Sequence, residues 1–208
     1  DIGIALDGDG DRLAVIDEKG NLVNGDQILA LLAIEMSKDQ KLKNNNVVGT
    51  SMTNMGLETL LKKHNIGLIR AKVGDRYVKE KMISEDLNLG GEQSGHIILR
   101  DFTSSGDGIV VALQVLSILS RKKGKASDCL HLFSPLPQNL INFPLKERNI
   151  LDHKDTKLFI KSCEEKVSED GRIVVRMSGT EPLLRVMIES GNQHTIDELT
   201  ESVTKYFS

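Results

Sequence analysis

Apolar and polar positions change their period several times along the 208 residues, and each change marks an element. Ile2, Ile4 and Leu6 alternate with other residues and Leu13-Ala-Val-Ile16 is a short apolar run, which predicts two strands around a polar loop. Residues 13–17 and Leu22-Val23 predict a hairpin turned at Glu18-Lys-Gly-Asn21. Asn24-Gly-Asp26 then offers cap chemistry for a helix carrying Ile28, Leu31, Leu32 and Met36. After the polar stretch 41–46, strands at 47–50 and 68–73 alternate with helices bearing Leu57, Leu60 and Leu61, then Tyr77, Val78, Met82 and Ile83. Strands at 87–91 and 97–99 follow. Asp107 caps a long helix through Leu119, closed by Arg121-Lys-Lys-Gly124 with basic residues at its negative end.

A short helix starts near Ser127, and Ser134-Pro-Leu-Pro137 breaks the pattern as a linker does. The remainder reads strand (140–145), helix (156–167), strand (172–177), strand (184–189), helix (195–207). The expected fold class is α/β: a mixed α/β sheet domain over 25–133, then a small α+β domain with an antiparallel sheet over 138–208. The opening strand delivers its loop at once, as though it belonged to a sheet whose other strands lie elsewhere. The expectation is the C-terminal part of a longer protein.

Composition narrows the function classes. A net charge of −3 with interspersed signs gives no global attraction for nucleic acid. The absence of Trp and an aromatic content of 3% remove the stacking platforms of a single-strand binder. Cys129 and Cys163 lack metal or redox spacing and suit free thiols in a reducing compartment. The longest apolar-rich run, 109–119, is too short for a bilayer and holds Gln114 and Ser117. The expectation is a cytoplasmic protein without membrane or nucleic-acid partners.

Candidate chemistry is concentrated in three loops. In Asp7-Gly-Asp-Gly-Asp-Arg12 an extended backbone would hold alternate carboxylates roughly 6.5 Å apart, too far to share one ion. Gly8 and Gly10 let the chain curl so that Asp7, Asp9 and Asp11 converge. Three carboxylates without nearby Cys or His suit a hard cation such as Mg²⁺, and Arg12 is placed to meet a phosphate lying on it. A plain Asp/Gly turn is the simpler alternative. An EF-hand is disfavoured because its sixth position, normally glycine, is Arg12 and the flanks read as strands. Gly90-Gly-Glu-Gln-Ser-Gly-His96 offers Glu92, Ser94 and His96, groups that grip sugar hydroxyls or an amine, although such a loop is also an ordinary turn. Arg176-Met-Ser-Gly-Thr-Glu-Pro-Leu-Leu-Arg185 places Ser178, Gly179 and Thr180 in a turn between strands, where backbone N–H groups and two flanking arginines can hold a phosphate. Its alternative is a hairpin turn with incidental arginines. Loops 50–56 and 71–76 follow strands, where α/β sheets place ligands, and Lys72 is a candidate for a ligand oxygen or an acid.

Together these three motifs, in this order and rough spacing, resemble the α-D-phosphohexomutases, and within them the phosphoglucosamine mutase branch, along the whole chain. Glu-Gln-Ser-Gly-His at 92–96, Val73-Gly-Asp-Arg-Tyr-Val78 and Gly106-Asp-Gly-Ile109 carry the finer likeness. The resemblance implies a four-domain isomerase that interconverts glucosamine 6-phosphate and glucosamine 1-phosphate through a bisphosphate intermediate, on the route to peptidoglycan precursors. Its family alternative is a phosphomannomutase or phosphoglucomutase; from another class, a non-catalytic phosphosugar or Mg²⁺ binding module. It implies Asp7, Asp9 and Asp11 as Mg²⁺ ligands, with Arg12, Lys72 and His96 in supporting catalytic roles. Glu92, Ser94 and His96 would bind the sugar, and Arg176, Ser178, Gly179, Thr180 and Arg185 the non-reacting phosphate. The family's phosphoserine loop, of Ser-His-Asn-Pro type, does not occur here. Residues 1–24 would then end the family's second domain, with its third and fourth following, and the missing N-terminal domains would be the partner without which the chain is inactive.

Overall fold

The alternating opening segments pair into an antiparallel sheet of β1 (Gly3–Leu6), β2 (Leu13–Ile16) and β3 (Leu22–Val23), in that order. Of these, only β2 and β3 contribute to a core, through Leu13, Val15 and Val23; β1 is exposed at all four positions. The structure is a computed structural model and describes residues 1–145, 147, 149–167, 171–179 and 181–208. The chain forms two compact units, Asp1–Pro135 and Leu136–Ser208.

In the first unit, helix α1 (Gly25–Lys38) starts on Asn24, whose side chain accepts from the Gln27 amide. It leads to β4 (Asn46–Thr50), α2 (Met55–Lys63), β5 (Gly67–Ala71), α3 (Asp75–Ser84), β6 (Leu89–Gly91) and β7 (Ile97–Leu99). The sheet order is β5-β4-β6-β7, with β4 parallel to β5 and β6, and β7 antiparallel to β6. Alternation along the strands feeds two cores. Val47, Leu89, Ile97 and Leu99 pack with α1, α2 and the long helix α4 (Gly108–Arg121), while Val48 and Ile98 pack with Val78 and Met82 of α3. Truncating a fully buried leucine such as Leu57 to alanine costs about 2–5 kcal/mol by lost transfer energy plus the cavity left behind.

Two strands fall short of their expected bounds. The run 68–73 ends as a strand at Ala71, because the Ala71 carbonyl accepts from Ser51 and the backbone turns at Gly74, with φ of +126°. The run 87–91 begins as a strand only at Leu89: Asp86 is left-handed, and the Asn88 side chain bridges the Lys43 amide, the Lys41 carbonyl and Asp101. The polar stretch before β4 holds a 3-10 turn at Lys43–Asn45.

The second unit is a sheet of β8 (Gln138–Pro144), β9 (Gly171–Met177) and β10 (Leu183–Ser190), ordered β8-β10-β9 and antiparallel throughout. Leu184, Val186 and Ile188 of β10 face α6 (Lys154–Val167) and α7 (Gln193–Phe207), where Phe143, Cys163 and Phe207 complete the core. Arg185 and Glu189 alternate onto the opposite face. Both cysteines are free. Among the described residues no helix is long and apolar enough to cross a membrane.

A partly buried polar clasp holds the hairpin of β2 and β3 against α5 (Ala126–Leu130) and its following residue. Glu18 accepts from the Ser127 amide and hydroxyl, and Asp17 accepts from the Lys19 and Asn21 amides, the Asn21 side chain and His131 Nε2 at 3.0 Å. Burial pulls the Asp17 carboxyl upward, but these donors outweigh it and lower its pKa to about 2. The folded value lies below the ordinary one, so the stabilisation is complete above pH 3.8 and is lost as pH falls through about 2. Asp17→Asn is expected to lower the melting temperature at neutral pH, and its deficit against the wild-type chain to shrink as the pH is taken from 4 to 2. A deficit independent of pH in thermal scans would contradict this.

Candidate functional site

The aspartate loop leaves β1 in a turn closed by the Gly10 amide on the Asp7 carbonyl, 3.2 Å. Only Gly10 of its two glycines takes the left-handed conformation, at φ +74°. The turn gathers the three side chains: one oxygen each from Asp7, Asp9 and Asp11 lies within 4.8 Å of the others. Arg12 closes the group, its amide 3.2 Å from Asp7 Oδ1 and its Nε 3.7 and 3.8 Å from Asp7 and Asp11. Desolvation raises the Asp7 carboxyl, yet the Arg12 amide and the Arg12 charge hold it below its ordinary value. Asp11 Oδ1 is buried and has no hydrogen-bond partner. All-oxygen donors and one buried oxygen without a hydrogen bond fit a hard divalent cation.

The 92–96 loop is a tight turn between β6 and β7: Glu92 N donates to the His96 carbonyl and Gly95 N to that of Glu92. Ser94 is exposed, Glu92 half-buried and His96 buried. Glu92 Oε1 accepts from the Gly74 amide at 2.9 Å, so this carboxylate also fixes the 71–76 loop. His96 stands where the 92–96 loop meets the aspartate loop. Its ring lies against the aspartate loop, with Nδ1 3.0 Å from Asp11 Oδ2, and its backbone bridges that of Arg12. The Leu13 amide donates to the Gly95 carbonyl and the Gly25 amide to that of Gln93. The aspartate loop, the 92–96 loop and the N-terminus of α1 are therefore one hydrogen-bonded assembly.

Parallel pairing of β4, β5 and β6 brings the 50–54, 71–75 and 92–96 loops to one end of the sheet, the end where α/β sheets hold ligands. Lys72 is exposed there, its Nζ 5.8 Å from the centre of the Tyr77 ring. Arg70 anchors the first of these loops, donating to the Thr50 and Thr53 carbonyls and pairing with Glu58. Asp26, fully buried in α1, accepts from the Asn54 amide at 2.9 Å. Neither Arg70 nor Asp26 stands out in the sequence: an arginine inside an apolar strand and an acid in a first helical turn have ordinary explanations.

In the second unit Arg176 and Arg185 are cross-strand neighbours in β9 and β10. Like charges directly opposite one another repel, a cost that a bridging anion reverses. Arg185 also pairs with Glu181. The turn between the strands spends donors internally: Ser178 N donates to the Leu183 carbonyl and Glu181 N to Ser178 Oγ. Gly179 is exposed with open space around it, and Thr180 lies outside the described residues. Charge on the two arginines is what the described residues of this turn offer an anion.

Close packing makes one of these contacts a test of the assembly. A Cβ on Gly25 would fall 2.1 Å from the Glu92 carbonyl oxygen and 2.8 Å from the Gly95 nitrogen. Gly25→Ala is expected to cost about 1–3 kcal/mol in denaturant unfolding through overpacking, whereas Gly8→Ala, with nothing within 4 Å, should cost far less. Equal costs would show that the loop does not seat on α1.

Comparison with known proteins agrees with this architecture. The family profile described as "Phosphoglucomutase/phosphomannomutase, alpha/beta/alpha domain III" matches residues 24–136, and that described as "Phosphoglucomutase/phosphomannomutase, C-terminal domain" matches 140–205. Proteins named phosphoglucosamine mutase are similar in sequence. That of Nitrobacter winogradskyi is 46% identical over 203 residues, 98% of this chain and 45% of its own length; that of Hyphomonas neptunium is 52% identical over 189, 91% and 42%. The chain thus spans about half the length of the curated relatives it matches. Among solved structures, N-acetylphosphoglucosamine mutase of Aspergillus fumigatus superposes with a TM-score of 0.82 at 24% identity, covering 99% of this chain and 48% of that one. A phosphoglucomutase/phosphomannomutase family protein of Burkholderia thailandensis gives 0.78 at 21%, covering 99% and 46%. One profile alone spans more than half of the sequence, and the chain belongs to the phosphoglucomutase/phosphomannomutase family.

Proposed function

We propose that this chain is the metal-, sugar- and remote-phosphate-binding part of a phosphoglucosamine mutase, which interconverts glucosamine 6-phosphate and glucosamine 1-phosphate in the cytoplasm, toward peptidoglycan precursors. The observation that carries the proposal is the hydrogen-bonded union of the aspartate loop with the 92–96 loop, which brings three convergent carboxylates beside a polar loop. The name shared by the curated relatives supports the substrate. The phosphoserine of the reaction would come from outside these residues, as would the bisphosphate's first phosphoryl group.

In this reading Asp7, Asp9 and Asp11 hold Mg²⁺. Magnesium accompanies GlcNAc-6P in a solved complex of Aspergillus fumigatus N-acetylphosphoglucosamine mutase, which supports the choice of ion. The ion supplies positive charge for the oxygens of the phosphoryl group in transfer. Arg12, at the rim of the same loop, would bind two oxygens of a phosphate in a bidentate manner. Glu92 and Ser94 orient the sugar hydroxyls and amine, and Lys72 meets the ligand near its reacting end. Arg176 and Arg185, with the Ser178-Gly179-Thr180 turn, hold the phosphate that does not react. Such a grip at the far end orients the sugar without chemistry of its own. Residues 1–24 would close a domain whose remainder lies in the partner half, with 25–133 and 138–208 as separate domains. The exposed β1, with Ile109 and Leu113 exposed on α4, is the surface on which that half would dock.

A coupled assay with glucosamine 6-phosphate, Mg²⁺ and a bisphosphate primer tests the proposal, run on the chain alone and mixed with the N-terminal half of the Hyphomonas relative. Turnover is expected only in the mixture. Turnover by the chain alone, or silence in a mixture whose halves associate, would contradict it. In the active mixture Arg176→Ala and Arg185→Ala should each raise KM about 10–100-fold, the loss of a charged hydrogen bond worth about 1.5–3 kcal/mol. An unchanged KM would remove the phosphate role.

A further inference from the structure

We propose that the groove between the second half of α3 and the segment joining β7 to α4 binds a nucleotide, taking its phosphate on Lys79 and Arg100 and its flat base against Phe102. Neither the aspartate loop nor the 92–96 loop takes part. The groove is a cavity of about 420 Å³, lined by Lys79, Ile83, Arg100, Phe102, Thr103 and Ser104. That volume falls within the ~300–1,000 Å³ of small-molecule sites. Its lining holds two cations and, among the described residues, no carboxylate. Lys79 and Ile83, four residues apart, stand on one side of the helix. The acids around them are committed elsewhere: Glu80 pairs with Arg76, Glu85 with Lys81 and Asp86 with Lys43. Half-buried Lys79 makes no ion pair among the described residues.

Arg100 is held in place by one corner of its guanidinium. Nη1 donates to the Met82 carbonyl at 3.2 Å and to the Leu87 carbonyl at 2.7 Å, and lies 3.9 Å from Asp86. Nε and Nη2 meet no protein acceptor among the described residues, and together they form the side-on fork that fits two oxygens of a phosphate. Two cations that line one cavity without a counter-charge of their own repel, and a bound dianion turns that repulsion into attraction. Ser104 adds an exposed hydroxyl. The apolar wall decides the rest of the ligand. Phe102 is 58% and Ile83 56% exposed, large apolar side chains left in water beside the cations. The backbone under Phe102 is fixed, its amide and that of Thr103 both donating to the Leu99 carbonyl. A ring held in this way offers an open face on which a base stacks. Phe102 also lines a second cavity, of about 310 Å³, where Glu35, Asp39 and Asp101 face Lys41 and Arg121. That acidic balance disfavours a phosphate, which confines it to the α3 side of the ring.

Calorimetric titration of AMP into the 208-residue chain tests this, with adenosine and inorganic phosphate as the separate halves of the probe. AMP is expected to bind about tenfold or more tightly than either half. Lys79→Ala is expected to weaken AMP binding about 10–100-fold, the range for a lost charge-assisted hydrogen bond. Phe102→Ala is expected to weaken it about 5–100-fold, the range for lost base stacking. A thermal scan checks that each variant folds, and Lys79→Gln stands in if Lys79→Ala does not. Arg176→Ala, in the second unit, is expected to leave AMP binding unchanged. Absence of AMP binding, equal affinity in wild type and either groove variant, or loss of binding in Arg176→Ala would overturn the proposal. Inorganic phosphate or glucose 6-phosphate binding as tightly as AMP in a Lys79-dependent manner would overturn the base contact, and the nucleotide with it.

Discussion

Three acidic side chains crowded into five residues repel one another, and the fold is arranged to contain that repulsion. Arg12 supplies one counter-charge, and the contact of His96 with Asp11 supplies a directed donor from a different element. Because the donor comes from the end of the β6–β7 turn, containing the aspartates also fixes where the sugar-type loop stands relative to them. The Gly95 carbonyl on Leu13 and the Gln93 carbonyl on Gly25 extend the same constraint into the hairpin and into α1. Loosening any one of these contacts would separate the groups that a phosphosugar has to meet together.

The parallel sheet contributes the rest of the geometry. Three loops emerge at one end because β4, β5 and β6 run in the same direction. They are tied to one another by side chains whose charge is spent on backbone groups: Arg70 on the carbonyls of the 50–53 turn, Asp26 on the Asn54 amide and Glu92 on the Gly74 amide. Such contacts limit the conformations open to each loop before a ligand arrives, which is how orientation becomes affinity and rate.

Much of this is legible in the residues because the signals are local. Helical spacing with caps at Asn24 and Asp107 locates α1 and α4, and alternation locates the strands of both sheets. The Asp-Gly-Asp-Gly-Asp spacing foretells convergence of the carboxylates, although only Gly10 needs a left-handed backbone. Less legible are contacts between residues far apart in sequence. The pairing of His96 with Asp11 joins positions 85 apart, and those of Asp17 with His131 and Glu18 with Ser127 span 114 and 109. No periodicity encodes such pairs. Strand ends depart from the expected bounds for a related reason: Val73 and Leu87 extend the apolar pattern while loop hydrogen bonds at the strand ends draw the backbone out of the sheet. The turn at 178–181 reads in the sequence as an array of amides, but two of its donors are consumed within the hairpin.

Cation binding in the space between Asp7, Asp9 and Asp11, beside the 92–96 loop, is tested most directly by anomalous diffraction from crystals of this chain soaked in Mn²⁺. The expected result is a peak within ligand distance of all three carboxylates, with His96 still bonded to Asp11 behind them. A peak at other residues only, or none at a concentration that saturates binding in solution, would contradict it.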